Sequence, residues 1–474
     1  MKKIYSLILA GLLCLLSVSC KKTFLELAPI SNSNASNFYK TQADFNLTVN
    51  AAYATLYTFF APQSGVSYFS EQMSDNATIY NISGIQADKK AFKDFSVNSS
   101  NSQVYLFWQQ SYQALFNVNI VLDKIETANL PDANKDQVRA EMRFLRGMYY
   151  FYMVQMWGDL PLVTKAVSAE ESYTILRSPK ADVYNQVIAD LQFAAGKLPL
   201  ATAITVAGHA SKGAAQSLLG KVYLAMGNKT AAAQALQEVV TSAQYSLLPQ
   251  YASLWPVNNK NTKESIFEIQ FIGGAAGVPL SNYYNEYTPY ENFSITLYAG
   301  GMNQVTDDLY NEFENGDVRR DITISLGYTN KTGVFIPIKY PRKWTDANAP
   351  IINSREASGN NFMVIRYADV LLMLAEATGN SSYLNQVRAR AGVALYGAAG
   401  YPSTIYSTLD LAIEHERRVE LAIEFQRGYD LRRTGRAVSV LSAKGKAVTD
   451  QKLLLPIPEI VRQQNSAITQ NPGY

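Results

Sequence analysis

A chain of 474 residues that is 47% hydrophobic and 17% charged carries enough apolar surface for a large folded core, which excludes a disordered protein. Its 42 Lys and Arg nearly balance 39 Asp and Glu, and a net charge of +3 without a concentrated basic surface excludes nucleic acid as a partner. With 31 tyrosines against two histidines, aromatic contacts rather than imidazole chemistry are the feature to follow.

The first 19 residues read as an export signal. Lys2 and Lys3 form a basic start, 4–16 is an apolar run, and Ser17 and Ser19 lead into Cys20. That run is too short for a membrane-spanning helix of about 20 residues. A cysteine directly after small residues resembles a bacterial lipobox, in which it becomes the acylated first residue of the mature chain, so Cys20 is the expected lipidation site. Cys14 lies inside the apolar run, and the mature chain is expected to hold one cysteine and no internal disulfide.

From 41 to 60, Phe45, Val49, Ala52, Leu56 and Phe59 recur at helical spacing. The segment 61–102 breaks that pattern: it is polar and rich in Asn and Ser, with Tyr68, Phe69, Tyr80, Phe92 and Phe95. A long irregular segment in a compact chain usually carries function, and these aromatics argue against disorder. Helical periodicity returns at 105–128 with Trp108, Tyr112, Leu115, Phe116 and Leu122. A second long helix is expected at 132–157, opened after Pro131 and stopped by Gly158. Its second half is apolar or aromatic except for Gln155, the pattern of a helix buried in a bundle. The flanking Arg143, Arg146 and Asp159 rule out a membrane span, and the two arginines are expected to form ion pairs at the polar end. Ser178 and Pro179 open a further helix to about 197.

Two helices turning at Gly227 and Asn228 are expected over 211–245, where Leu219, Gly220, Tyr223, Ala232 and Leu236 match the skeleton of a tetratricopeptide repeat. A degenerate second unit follows at 367–392, about Gly379 and Asn380. Between the two units, 266–271 alternates like a strand. The Gly-rich stretch 273–301 carries Tyr283, Tyr284, Tyr287, Tyr290 and Tyr298, and 321–361 is irregular with Tyr328, Tyr340 and Trp344. Helix resumes at 409–433. The expected fold is mainly α: a tetratricopeptide-like helical-repeat scaffold with long inserted aromatic-rich loops.

Neither His209 nor His415 has a partner histidine at metal spacing, and metalloprotease, P-loop, nucleophile-elbow and dinucleotide motifs are absent. No catalytic residue, metal or cofactor is therefore expected, although linear spacing leaves open a carboxylate pair for glycoside hydrolysis. Glu416, Glu420 and Glu424 fall at i, i+4 and i+8, but the Glu-x-x-His partner of a di-metal bundle is missing. Arg417, Arg418 and Arg427 favour an ion-pair network there instead. Tyrosine and tryptophan in irregular segments offer a flat apolar face and a polar tip, which suit the C–H faces and hydroxyls of a sugar. On position and side-chain type, the expected ligand contacts are Tyr68, Asp75 and Tyr80 in the first loop, Tyr283, Tyr284, Tyr287 and Tyr290 in the second, and Trp344 in the third.

RFLRGMYYFYMVQMWGDLPLV at 143–163, SKGAAQSLLGKVYLAMGN at 211–228, VIRYADVLLMLAEA at 364–377 and ERRVELAIEFQRGYDLRRTG at 416–435 lie in order along the chain. Together they resemble the SusD/RagB family of Bacteroidetes outer-membrane lipoproteins. The resemblance implies a non-catalytic binding protein with one domain over 20–474, its halves about 20–245 and 260–474 packed together. It also implies a lipid anchor on Cys20 at the outer membrane, facing the cell exterior, a SusC-like TonB-dependent transporter as partner, and a glycan ligand. An oligopeptide is the alternative ligand, and a glycan-degrading enzyme is the remoter reading.

Overall fold

The structure, a computed structural model, describes residues 38–79, 87–289, 295–330 and 332–474. The export signal, Cys20, Tyr80 and Tyr290 lie outside the described residues.

Helix α1 (Gln42–Ala54) starts at a capping box between Thr41 and Asp44 and buries Phe45, Val49 and Ala52. The expected helix to residue 60 is interrupted at Thr55, whose hydroxyl donates back to the Ala52 carbonyl (2.6 Å) before Leu56–Phe59 resumes. A further helix, α2 (Ala87–Lys93), lies inside the first irregular segment; its seven residues bury Phe92 alone, too little for a periodic signal. Next come α3 (Ser102–Thr127), capped by Asn101, and α4 (Asp132–Trp157), which ends at Gly158 with φ +72°. The aromatic half of α4 is interior: Tyr149, Tyr150, Tyr152 and Trp157 are all buried.

Helix α5 (Lys180–Lys197) packs along α4, and a Cβ on Gly147 would stand 3.1 Å from the Leu191 Cγ. Arg146 pairs with Asp190 (2.7 Å) as the sequence implies, whereas Arg143 lies over the Phe193 ring (4.2 Å to the centroid). The repeat unit is α6 (Lys212–Ala225) and α7 (Lys229–Thr241). Its helices approach so closely at Gly220 that a Cβ would sit 2.4 Å from the Leu236 Cγ. Strand β1 (Ser265–Ile269) and the short helix α8 (Tyr283–Tyr287) follow, then β2 (Ile351–Ile352) and β3 (Arg355–Glu356), which form a hairpin. Strand β4 (Phe362–Arg366) pairs antiparallel with β1 and leads into α9 (Tyr367–Thr378) and α10 (Ser381–Ala391), the second helical pair.

The expected helix over 409–433 divides into α11 (Leu409–Glu420) and α12 (Arg427–Arg433). Ile423 (φ +57°) and Phe425 (φ +62°) take left-handed backbone between them, costly for side chains of that size. Long-range bonds hold them there: the Ile423 carbonyl accepts from the Trp344 indole (3.2 Å), and the Phe425 N–H donates to Glu71 (2.8 Å). The tail adds α13 (Glu459–Gln464).

The three glutamates do enter a buried ion-pair network, but their partners come from other segments. Glu416 pairs with Arg319 (2.5 Å) and Arg388 (2.9 Å), and Glu420 with Arg319 (2.8 Å), Arg366 and Arg390. Glu424 meets Arg366 and Lys343, both at 2.7 Å. Neighbours one residue apart on a helix do not face each other. Arg417 therefore turns to Asp369 and Asp430, and Arg418 to Asp308 and Glu312.

Candidate functional site

The three irregular segments meet at one surface. Gln63, in the first, donates from its amide to Glu286 on α8, and Lys89 on α2 donates to the Gln63 carbonyl oxygen (2.6 Å). Glu286 is also hydrogen-bonded to Tyr298, and the Arg355 guanidinium lies 4.3 Å from the Tyr298 ring centroid. The Asn285 side chain and the Leu297 backbone N–H both donate to Glu356 (2.7 Å each), tying the second segment to the β2–β3 hairpin of the third. Gly300 permits the close return past α8, because a Cβ there would stand 2.9 Å from the Glu286 Cα.

Burial raises the Glu286 pKa, while the Gln63 hydrogen bond and the Lys89 charge oppose the rise. Tyr298, Gln63 and Lys89 are half-buried; Arg355, Leu297 and Ile351 are exposed. The surface thus combines one tyrosine ring with a guanidinium, an ammonium and an amide above the buried Glu286 carboxylate, rimmed by two aliphatic side chains. That set can stack on an apolar ring face and both donate to and accept from hydroxyl groups.

Six of the eight ligand contacts expected from sequence are buried. Tyr68 is 0% exposed, between Phe92 and Phe107. The Tyr283 hydroxyl donates to the Phe60 carbonyl (2.5 Å), and its ring stacks on Trp344 (4.9 Å) and Phe362 (5.1 Å). Tyr287 and Trp344 are buried in the same cluster. Tyr284 is buried as well, which pushes its hydroxyl up to about 12. Asp75 is bound by Arg427 through both oxygens (2.8 and 2.9 Å) and by Arg418 (3.2 Å). Burial alone would raise the Asp75 carboxyl, but the two guanidinium groups outweigh it and hold the group below the usual carboxylate range. Buried in this way, these six side chains fasten the loops to the body. The physical reason is size: an aromatic ring in a loop gains most by burying its roughly 150–250 Å².

Of the residues at the surface, Tyr298 stood in the tyrosine-rich second segment. Gln63, Lys89, Glu286 and Arg355 carried no sequence signal, since ordinary polar residues become a site through convergence alone.

Residues 23–224 match a family model described as starch-binding associating with outer membrane, and residues 327–474 match the model of the SusD family. A SusD-like protein (P2) of Formosa agariphila is 31% identical over 95% of this chain and 96% of its own length. The chain belongs to the SusD/RagB family. Among solved structures, a laminarin-binding SusD-like protein is 29% identical and superimposes with a TM-score of 0.79, covering 92% of this chain and 100% of that one. Surface glycan-binding protein A of Bacteroides thetaiotaomicron, solved with laminarihexaose, has a TM-score of 0.76 over 90% of this chain and 99% of its own. At 22% identity that likeness concerns the SusD fold alone. The helical scaffold expected from sequence is thus the SusD/RagB scaffold.

Proposed function

We propose that this SusD/RagB protein is a cell-surface lipoprotein, anchored through Cys20, that binds a glycan at the Tyr298 surface without altering it chemically. It then delivers the glycan to a SusC-like TonB-dependent transporter. The observation that carries the ligand class is the Tyr298 ring, half-exposed among Arg355, Lys89 and Gln63 where three loops converge. Tyr80 and Tyr290 are proposed as further contacts on their sequence positions. One hydrophobic cluster runs from Phe45 to Ile468, which supports one domain over 20–474. Attachment and transporter partner are proposed from the N-terminal sequence and the family. The 29% identical laminarin-binding relative makes laminarin fragments the first ligands to test.

Isothermal titration with laminarihexaose, maltohexaose and a mixed oligopeptide pool tests the reading. Binding of a hexasaccharide, weakened at least tenfold (about 1.4 kcal/mol) in Tyr298→Ala, is the expected result. Binding of the peptides alone would replace the glycan with the oligopeptide reading. Release of shorter sugars, read by chromatography, would overturn the non-catalytic reading.

A further inference from the structure

A groove of about 680 Å³ runs along α3 and shares no lining residue with the Tyr298 surface. Its volume falls within the range of small-molecule sites, about 300–1,000 Å³. The floor is an aromatic ladder: Tyr105, Trp108, Tyr112 and Phe116 follow at intervals of three, four and four residues, which puts them on one face of α3. At 1.5 Å per residue the ladder is about 16 Å long, the scale of a short oligosaccharide rather than of a single sugar.

The floor is pre-formed. Trp108 is buried, and the Tyr112 ring lies 5.0 Å from it with its hydroxyl donating to the Pro161 carbonyl (2.9 Å). Two rings stand open for stacking: Phe116 is 39% exposed, and Tyr173, across the groove, is 48% exposed. A capping box between Ser168 and Glu171 fixes the turn that carries Tyr173. Gln109, Gln113 and Gln464 are exposed at the rim, and Lys165 is the one charged side chain among the described residues of the lining.

This chemistry selects its ligand class. An anionic chain would find a single cation, and the apolar face of a partner helix would strand the rim glutamines against carbon. A neutral oligosaccharide uses both halves, its C–H faces on the rings and its hydroxyls on the amides. We infer that the α3 groove is a second glycan-binding subsite, taking a short neutral oligosaccharide along the ladder. The inference rests on the glycan reading above. Ser102, the first residue of α3, donates to Asp88 (2.6 Å), the neighbour of Lys89 on α2. The groove therefore starts beside a helix that serves the Tyr298 surface, and a polysaccharide engaging both gains avidity from the linkage.

Titrating the full chain with laminarihexaose, maltohexaose and cellohexaose reads the stoichiometry. Two molecules of hexasaccharide per chain are expected, falling to one in Phe116→Ala/Tyr173→Ala and, independently, to one in Tyr298→Ala. Both groove residues are substantially exposed, and an unchanged melting curve establishes that the double variant folds. The conservative variant Tyr173→Trp is expected to keep two. One molecule per chain that is lost in Tyr298→Ala and untouched in the groove variant would overturn the subsite and leave the loop reading standing. No binding of any of the three would overturn both.

Discussion

Replacing Glu71 by Gln should remove a pH dependence from the stability of this protein. Glu71 lies on the π-helical turn Tyr68–Gln72 and is 0% exposed. One carboxylate oxygen accepts the Phe425 N–H (2.8 Å), while the other is approached only loosely by the Asn76 amide. Burial pushes the carboxyl up to about 7, outweighing the Phe425 bond and the Lys343 charge. The unfolded chain releases the same proton near the ordinary value of 4.5. Between those two values the folded chain holds a proton that the unfolded chain has lost, so stability falls as pH rises and stays lowered above about 7. At about 1.4 kcal/mol per pH unit, the whole window amounts to about 3 kcal/mol. Glutamine keeps the acceptor for Phe425 and does not ionise. Urea unfolding of both proteins should show the wild type losing roughly 2–3 kcal/mol relative to Glu71→Gln between pH 5 and pH 8. Comparison with the variant cancels the titration of every other group. A difference that is the same at the two pH values would refute the reasoning.

Gly220→Ala should cost about 1–3 kcal/mol by forcing α6 away from α7, and Leu236→Ala in the same chain should recover part of the loss. Thermal melts of the single and double variants read this. Asp75→Ala should cost about 3–5 kcal/mol, because Arg427 and Arg418 lose a buried counter-charge, while glycan affinity of the folded fraction stays unchanged. Loss of affinity without loss of stability would return Asp75 to the ligand site. His415 is held between Glu312 (2.9 Å) and Glu314 (3.1 Å) and stacks on Tyr406. Burial disfavours its charge, but the two carboxylates outweigh burial and the net shift is upward. Its contribution to stability is complete below the ordinary 6.5 and is lost as pH rises through the raised value. An NMR titration of the imidazole checks the shift, and His415→Gln should lack the alkaline loss.

Sequence periodicity by itself determined the scaffold. The aromatic run on α4, the helical pair turning at Gly227 and the breaks at Gly158 and Gly379 were legible because each depends on residues a few positions apart. The irregular segments were legible as segments, and their meeting at one surface was not. Which side chains face outward depends on partners far along the chain. Tyr283 is interior because Phe60, Trp344 and Phe362 close around it. Tyr298 is only half-buried, with the Arg355 guanidinium over its ring. Local pattern cannot distinguish two tyrosines of one loop, since the difference lies in what packs against each. The same holds for the acids: Arg417, Arg418 and Arg427 were expected to neutralise Glu416 and Glu420, and tertiary structure supplied Arg319, Arg366, Arg388 and Arg390 instead. Sequence set the helices and the supply of aromatic and charged groups. Only long-range packing decided which of those groups are buried as fastenings and which remain free to bind, because burial is a property of the whole fold.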